Sequence, residues 1–372
     1  MRPLEGIKGL DFSTLLPGPM AGLMLAEAGA HVIKVERQGG EEMRRSEPRW
    51  GRESASFAML NRGKAGIALD LRDRSQLALI APLVAEADVL IEQFRPGVMD
   101  RLGLGYQAVS TQNPRLVYCS ITGYGQKGPK AGVAGHDLNY IGDTGLLSLS
   151  MGDPERPTVP PVLAADLAAG AHAAFMNILL GLMARERTGQ GTHLDIAMTD
   201  GLFSLAGWWA MAQGLVGGKW PVSGGELLTG GSPRYQIYPT ADGRHVAAAP
   251  LEQKFWDTFC GLIDLPEPLR DDRADPVATV GKVREIILAK PSDHWRALFY
   301  GQDCCCSIVQ TWQEAMQEPH FRLRGLFDHV LRNEDGAQLP AAPVPIAPQF
   351  RGAPEDPLSA PSLGAHNDLL LK

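Results

Sequence analysis

His136 and Asp166 are the residues of this sequence whose types and surroundings best suit proton-transfer chemistry. His136 lies in the stretch Gly135–Tyr140, and Asp166 lies in Ala165–Gly170. An imidazole and a carboxylate can each act as a general acid or base, so the two, held on opposite sides of one carbon, could move a proton from one face to the other. A His or Asp in a Gly-rich segment can also serve only as a turn or capping residue, so the surrounding sequence must decide.

The segments that must position these residues predict a doubly wound α/β domain. Short apolar runs alternate with helical segments as far as about residue 188, a pattern typical of a parallel sheet. The first predicted strand is followed by a predicted loop over Leu16–Pro19 and then by a helix. This turn offers only Gly18 and Gly22, without Gly-x-Gly-x-x-Gly, so no nicotinamide site is expected. The predicted strands are Leu10–Ser13, His31–Val35, Gly66–Leu69, Asp88–Ile91, Leu116–Ser120 and His193–Ala197, and the predicted helices are Met20–Ala28 and Ser75–Ala87.

A second, smaller domain is expected beyond a glycine-spaced connector. Residues 1–188 form the predicted large domain, 189–225 the linker and 226–338 a small α+β domain, with 339–372 packing back on the first. Tyr235–Tyr238 and His245–Ala248 predict a hairpin across a turn that contains Gly243. Helical patterns follow at Glu252–Gly261, Val280–Leu288 and Trp312–Met316.

Composition restricts the classes of function. The chain has 372 residues, 44% of them apolar and 21% charged, and a net charge of -7, which argues against wholesale nucleic-acid binding. Six basic residues between Arg44 and Lys64 are opposed only by Glu47 and Glu53, which predicts either a phosphate site or a solvated loop face. The 5 Cys lack metal-site spacing, so we expect buried thiols and no metal.

The most apolar segment, Val162–Met183, contains Asp166, His172 and Asn177. Polar residues at such positions favour a buried helix over a membrane span. The segment Met1–Gly6 lacks the apolar core of a signal peptide. We therefore expect a cytoplasmic protein that does not bind membranes.

Over nearly its full length the sequence resembles the family III CoA-transferases, the carnitine dehydratase-like family. The resemblance implies a large Rossmann-like CoA-binding domain, a smaller α+β domain and an interlocked homodimer whose active sites lie between domains of different chains. It also implies an acyl-CoA substrate and no cofactor beyond the CoA moiety. The motifs that carry it are Leu16–Pro19, Ile33–Arg37, Phe94–Val98, Arg101–Gly105, Thr122–Gln126, Gly135–Tyr140, Gly189–Gly191 and Leu363–His366.

Within this family the sequence is most similar to the α-methylacyl-CoA racemase branch. Transferase members have Gln where this chain has Leu16, and four successive glycines where it has only Gly230–Gly231. They also lack the His-Asp-x-Asn-Tyr pattern that begins at His136. The resemblance thus implies interconversion of (2R)- and (2S)-2-methylacyl-CoA, with His136 and Asp166 on opposite faces of the α-carbon. It adds Glu252 as a carboxylate that orients the imidazole, although Glu252 alone could be a residue of the first helical turn.

Two other functions stay open. In transferases the residue matching Asp166 attacks the thioester, so CoA transfer between carboxylic acids through a covalent intermediate is the main alternative. A CoA-binding regulatory protein is a third possibility, which the presence of His136, Asp166 and Glu252 disfavours.

The resemblance also implies a set of CoA contacts, mostly at the carboxyl ends of the predicted strands, where open α/β sheets bind ligands. Arginines suit phosphate contacts and adenine stacking, although any one of them could be an ordinary surface residue. A backbone N–H near Asp137 is the expected donor to the thioester oxygen. The expected CoA-binding residues are Arg37, Leu69, Asp70, Leu71, Arg72, Gln93, Phe94, Arg95, Arg101, Gly135, Asp137, Leu138, Asn139 and Tyr140.

Overall fold

The computed structural model describes residues 2–150, 152–153, 156–354 and 356–371. These residues form two compact units. The first unit takes in the chain up to Thr144, Val162–Leu205 and the chain from Pro319 onward, and the second takes in Gly145–Pro161 and Ala206–Glu318. The division into domains that we expected from the sequence remains a prediction.

The described strands are β1 (Lys8–Asp11), β2 (His31–Glu36), β3 (Arg49–Trp50), β4 (Glu53–Ser54), β5 (Ala65–Ala68), β6 (Val89–Glu92), β7 (Val117–Thr122), β8 (Gly152–Asp153), β9 (Arg156–Pro157), β10 (Thr192–Ala197), β11 (Gln236–Pro239), β12 (His245–Ala248), β13 (Cys306–Ile308), β14 (Val330–Arg332) and β15 (Gln338–Pro340).

The described α-helices are α1 (Pro17–Glu27), α2 (Ala55–Asn61), α3 (Arg74–Glu86), α4 (Val98–Arg101), α5 (Tyr106–Gln112), α6 (Asp137–Asp143), α7 (Ala173–Thr188), α8 (Met198–Met211), α9 (Gln253–Leu262), α10 (Pro276–Leu288), α11 (Ser292–Phe299), α12 (Trp312–Gln317), α13 (Pro319–Leu323) and α14 (Asn367–Leu370). A π-helix, Ala164–His172, runs directly into α7.

Six parallel strands form the main sheet of the first unit, in the order β10-β7-β6-β1-β2-β5. This sheet confirms the predicted α/β class. From β1 the chain builds outward to β2 and β5 on one side and to β6, β7 and β10 on the other. The carboxyl ends of β1 and β6 therefore mark a topological switch point, the place where open α/β sheets form a ligand crevice.

The first strand and helix begin and end earlier than the sequence suggested. β1 ends at Asp11, because the Asp11 carboxylate accepts hydrogen bonds from the backbone N–H and the hydroxyl of Ser13 and turns the chain there. The prediction of a loop over Leu16–Pro19 was wrong, since α1 starts at Pro17. Prolines fit the first helical turn, where a backbone N–H would have no partner within the helix.

The apolar segment after residue 162 forms one continuous helix, Ala164–Thr188, which begins as a π-helix. The prediction that it is buried was only partly correct, because Met176, Leu180 and Met183 are 56%, 55% and 63% exposed. These three residues share one face at helical spacing. Among the described residues this is the one helix with the length and apolar composition to cross a membrane.

Half of the six basic residues between Arg44 and Lys64 are used inside the protein, whereas Arg45, Arg49 and Arg52 are exposed. Arg44 pairs with Glu36 and Glu53, Arg62 with Glu27, and Lys64 with Asp11, at 2.5–2.8 Å. All three basic side chains are buried. Neither a phosphate site nor a solvated face therefore describes these three residues.

The second unit contains the antiparallel sheet β11-β12-β13. Its first two strands pair Gln236 with Ala248, which confirms the predicted hairpin. Trp256 and Phe259 of α9 are fully buried in its core. The expectation of five buried thiols was wrong for Cys305, which lies exposed with φ of 48° in the turn before β13.

Candidate active site

A cavity of ≈ 450 Å³ in the first unit brings the two candidate proton carriers together. His136 and Asp166 both line it, as do Ile121 and Thr122 at the carboxyl end of β7. Of the residues expected to bind CoA, its lining includes Gln93, Phe94, Arg95, Gly135, Asn139 and Tyr140.

Asp137 connects the His136 segment to the Asp166 segment. Its side chain is buried, and Oδ1 accepts hydrogen bonds from the backbone N–H groups of Ala165 (2.7 Å) and Asp166 (3.0 Å). These N–H groups belong to the first turn of the π-helix, where no helical carbonyl can accept from them. The Asp137 side chain thus has a structural partner, and a CoA contact by its backbone N–H stays a prediction.

Asp166 has an environment that suits a proton carrier. Partial burial raises the pKa of its carboxyl group most, the neighbouring Asp137 charge raises it further, and His136 lowers it, giving a pKa of about 6. A carboxyl group with this pKa is present in both protonation states near neutral pH. It can therefore both accept and donate a proton.

His136 occupies the N-cap position of α6 in an extended conformation, with φ -126° and ψ 177°. Its backbone N–H donates to Asn139 Oδ1 at 3.0 Å, and its carbonyl accepts from the Asn139 N–H at 2.9 Å. Asn139 thereby fixes the main chain at His136. The His136 residue is exposed and lines the cavity.

Tyr140 packs tightly beneath the cavity. Its hydroxyl donates to the Gly135 carbonyl at 2.5 Å, and its ring lies edge-on to Tyr124 at 5.3 Å. A Cβ at position 123 would lie 2.4 Å from this ring, so Gly123 is required by the close approach. Burial, and after it the charge of Asp166, raises the pKa of the Tyr140 hydroxyl, which therefore stays protonated.

A second cavity of ≈ 730 Å³ lies at the carboxyl ends of β2 and β5. Phe94 and Leu15 line both cavities, which are therefore adjacent. The structure thus divides the expected CoA contacts into two groups. The second cavity is lined by Arg37, Leu69, Asp70, Leu71 and Arg72. Arg101 and Leu138 are exposed and line neither cavity.

Leu15 was missed by the sequence analysis. It has a positive φ of 62°, and its N–H donates to Glu41 Oε2 at 2.8 Å. Glu41 pairs at 3.1 Å with the buried Lys34, whose Nζ also donates to the Ser13 carbonyl. No local sequence signal marks a leucine for this conformation, because buried charges from distant segments impose it.

Glu252 lies in the second unit, at the N-cap position of α9, and is exposed. Burial raises the pKa of the Cys305 thiol most, and the charge of Glu252 raises it further. The proposed pairing of Glu252 with His136 stays a prediction.

Among the described residues no group of three or more His, Cys, Asp or Glu side chains could hold a metal ion.

Comparison with known proteins identifies the family. Residues 4–367 match the family model CoA-transferase family III. The chain is 33% identical to mouse (Mus musculus) alpha-methylacyl-CoA racemase over 374 residues, which cover 99% of this chain and 92% of the relative. It is 31% identical to human succinyl-CoA:glutarate CoA-transferase over 386 residues, 100% of this chain and 86% of the relative.

Solved structures agree with these relatives. A crystal structure of Rv3272 from Mycobacterium tuberculosis superimposes with a TM-score of 0.83 at 28% identity, covering 100% of this chain and 99% of the other. A CAIB/BAIF family protein from Brucella suis gives 0.79 at 29% identity, with 98% and 97% covered. Because the match spans nearly the whole chain in sequence and in fold, this protein belongs to CoA-transferase family III.

Proposed function

We propose that this protein is an α-methylacyl-CoA racemase, which interconverts (2R)- and (2S)-2-methylacyl-CoA thioesters. The observation that carries the proposal is the shared cavity of His136 and Asp166, where the Asp166 carboxyl has a pKa of about 6. A racemase needs two groups that each take up and release a proton under the same conditions. The similarity to alpha-methylacyl-CoA racemases supports the assignment.

The reaction is a proton exchange at the α-carbon. One of His136 and Asp166 removes the α-proton, and the electron pair of the broken C–H bond moves toward the thioester oxygen. The other group then gives its proton to the opposite face of the α-carbon, and the electrons return from the oxygen. In the reverse direction the roles are exchanged. Because one proton is removed and one is returned, with no net change in electrons, the overall reaction consumes no cofactor. Backbone N–H donors near Asp137 are the proposed partners of the developing oxyanion.

The two adjacent cavities suit the two ends of a CoA thioester. We assign the nucleotide end to the second cavity, where Arg37 and Arg72 offer guanidinium groups to phosphates. The pantetheine then passes Phe94, which lines both cavities, and reaches His136. No cofactor beyond the CoA moiety is needed for this chemistry.

A homodimer is part of the proposal. The exposed face of α7 formed by Met176, Leu180 and Met183, together with Phe203 of α8, leaves large apolar side chains open to solvent. Apolar patches of this kind mark interaction surfaces. In the interlocked arrangement that we propose, Glu252 orients His136 from the partner chain. We place the enzyme in the cytoplasm, without a membrane or nucleic-acid partner.

The direct test is proton exchange at the α-carbon. Purified protein is incubated with (2S)- or (2R)-2-methylacyl-CoA in D₂O, and the α-proton is followed by NMR together with chiral analysis of the product. Deuterium incorporation with both epimers converging on one mixture is expected. His136→Ala and Asp166→Asn should each slow the exchange by about 10²-fold or more. Full activity of His136→Ala would contradict the two-carrier mechanism.

CoA transfer between carboxylic acids is the second candidate, because a transferase relative is 31% identical to this chain and a racemase relative 33%. In that reaction the Asp166 carboxylate attacks the thioester carbonyl, the C–S bond breaks, and CoA thiolate leaves a mixed anhydride on Asp166. Hydroxylamine would convert this anhydride to a hydroxamate, detectable by mass spectrometry of the Asp166 peptide. A hydroxamate, with CoA transfer to an added dicarboxylate and no deuterium exchange, would establish the transferase instead.

A further inference from the structure

A buried carboxyl group outside the proposed catalytic pair lies behind the segment that lines both cavities. Glu92, the last residue of β6, is 4% exposed. Its Oε2 accepts a hydrogen bond from the Phe94 N–H at 2.8 Å. Gln93 and Arg95, on either side of Phe94, line the first cavity. The Glu92 carboxylate therefore holds the main chain of this cavity wall at Phe94.

A row of polar side chains leads from Glu92 across the sheet to an exposed histidine. Ser120 of β7 is the register partner of Glu92, and its hydroxyl lowers the pKa of the Glu92 carboxyl group. On its other side, Ser120 Oγ lies 2.9 Å from Nε2 of His193 on β10. The His193 ring stacks on Tyr106 at 5.0 Å, which fixes its plane.

The serine hydroxyl has one proton, so the group to which Ser120 donates depends on the charge of Glu92. With Glu92 ionised, Ser120 donates to the carboxylate and accepts from His193 Nε2–H. With Glu92 protonated, the carboxyl group can donate to Ser120, and Ser120 can donate to an unprotonated Nε2. The tautomer of the neutral His193 ring thus reports the protonation state of Glu92.

The groups around Glu92 favour a titration near neutral pH. Burial raises the pKa of Glu92 most, bonds from Ser120 and Phe94 lower it, and the charges of Asp100 and Asp195 raise it, giving about 7. On β7, Tyr118 and Cys119 have raised pKa values and are uncharged. Burial lowers the pKa of His193. On the β1 side, the Asp11 carboxylate is paired with Lys64.

We propose that Glu92, Ser120 and His193 form a positioning relay that holds Gln93–Arg95 in place and makes CoA binding depend on pH near neutrality. None of the three is a catalytic residue. A hydrogen bond from the Phe94 N–H to an ionised carboxylate is stronger than one to a neutral carboxyl group. The segment is therefore held more firmly, and CoA binds more tightly, once Glu92 has lost its proton. The inference rests on the proposed function only in taking CoA as the ligand.

The binding test uses free coenzyme A and titration calorimetry between pH 5.5 and 8.5. Wild type is compared with Glu92→Gln, and with Glu186→Gln as a control that removes an exposed carboxylate at the end of α7. The ratio of Kd for Glu92→Gln to Kd for wild type should rise from near 1 at low pH to about fivefold at high pH. Taking a ratio cancels the titration of the CoA phosphates. A ratio that stays constant with pH, or that rises equally for Glu186→Gln, would overturn the proposal.

A second measurement needs neither ligand nor turnover. The ¹H–¹⁵N spectrum of the His193 ring should show a tautomer change near pH 7 in wild type, which is absent in Glu92→Gln and in Ser120→Ala. A ring that keeps one tautomer throughout in wild type would refute the relay, whatever the enzyme binds. Failure to bind CoA at any pH, with the tautomer change present, would instead refute the proposed function and the binding role of the relay.

Discussion

Asp166 owes its raised pKa first to partial burial and then to Asp137, a neighbour that also fixes its position. Asp137 accepts the Asp166 N–H and at the same time places a like charge beside the Asp166 carboxylate. Structure and reactivity are therefore coupled through one side chain, and a substitution can separate them.

Asp137→Asn separates the two effects. Asparagine keeps an acceptor oxygen for the Ala165 and Asp166 N–H groups but removes the like charge. The pKa of Asp166 should therefore fall below its present value of about 6. The acid limb of the pH–rate profile, or a ¹³C titration of the Asp166 carboxyl, should move to lower pH. A limb that moves to higher pH would contradict this account.

The raised pKa of Glu92 predicts how the free energy of unfolding changes with pH. Burial raises the pKa of Glu92 in the folded protein to about 7, from the 4.5 that is ordinary for a glutamate. Its contribution to stability is thus fully present below pH 4.5 and is lost as the pH rises through 7. Relative to wild type, Glu92→Gln should be more stable at pH 8 than at pH 5, by on the order of 2–3 kcal/mol.

Urea denaturation of both proteins at several pH values measures this difference, and the wild-type minus variant comparison cancels the other titrating groups. Glu186→Gln, which changes an exposed carboxylate, should show no comparable trend. A difference that is independent of pH would mean that Glu92 is ionised throughout the range.

At the scale of elements, the loop between β1 and α1 is held by charges rather than by its own sequence. Leu15 sits in it with φ 62°, a conformation that costs a non-glycine residue about 1–2 kcal/mol. The buried Lys34–Glu41 pair holds it there through the Leu15 N–H. Glycine, which has no Cβ, takes this conformation without that cost.

Leu15→Gly should therefore be more stable than Leu15→Ala, by about 1 kcal/mol. The matched control is Leu79, a partly exposed residue within α3, where Leu79→Gly should be less stable than Leu79→Ala by about 1 kcal/mol. Thermal or urea unfolding of the four variants tests the reversal. The same order at both positions would show that the loop relaxes when the side chain is removed.

The elements themselves were largely accessible from the sequence, because strands such as β5 and β6 are largely buried and carry continuous apolar runs. His136 and Asp166 were accessible through their type and local motif. The π-helix before α7 was not, because it depends on a long-range bond from Asp137 to the start of that turn. The relay of Glu92, Ser120 and His193 was also missed, since it needs the register of three strands that are distant in sequence.

At the scale of the whole molecule, the exposed apolar face of α7 predicts assembly. Leu180 lies at its centre, between Met176 and Met183. A charge placed there would be buried without a partner in the proposed dimer, which is strongly unfavourable. Leu180→Glu should therefore shift the protein to monomers, whereas Leu180→Met, which conserves volume, should not.

Sedimentation velocity across a range of protein concentrations measures this shift. If Glu252 acts on His136 from the partner chain, the monomeric variant should also lose α-proton exchange. A Leu180→Glu protein that sediments like wild type would place the dimer interface elsewhere.

The bond from Asp137 to the Asp166 N–H joins residues that are 29 positions apart in the chain. Because this bond, and not the connecting chain, brings the Asp166 segment to the His136 segment, the connection needs no single fixed length. Much of it, Gly145–Pro161, belongs to the other compact unit. Residues can therefore be added to or removed from this connection by mutation while the contact between the His136 and Asp166 segments is kept.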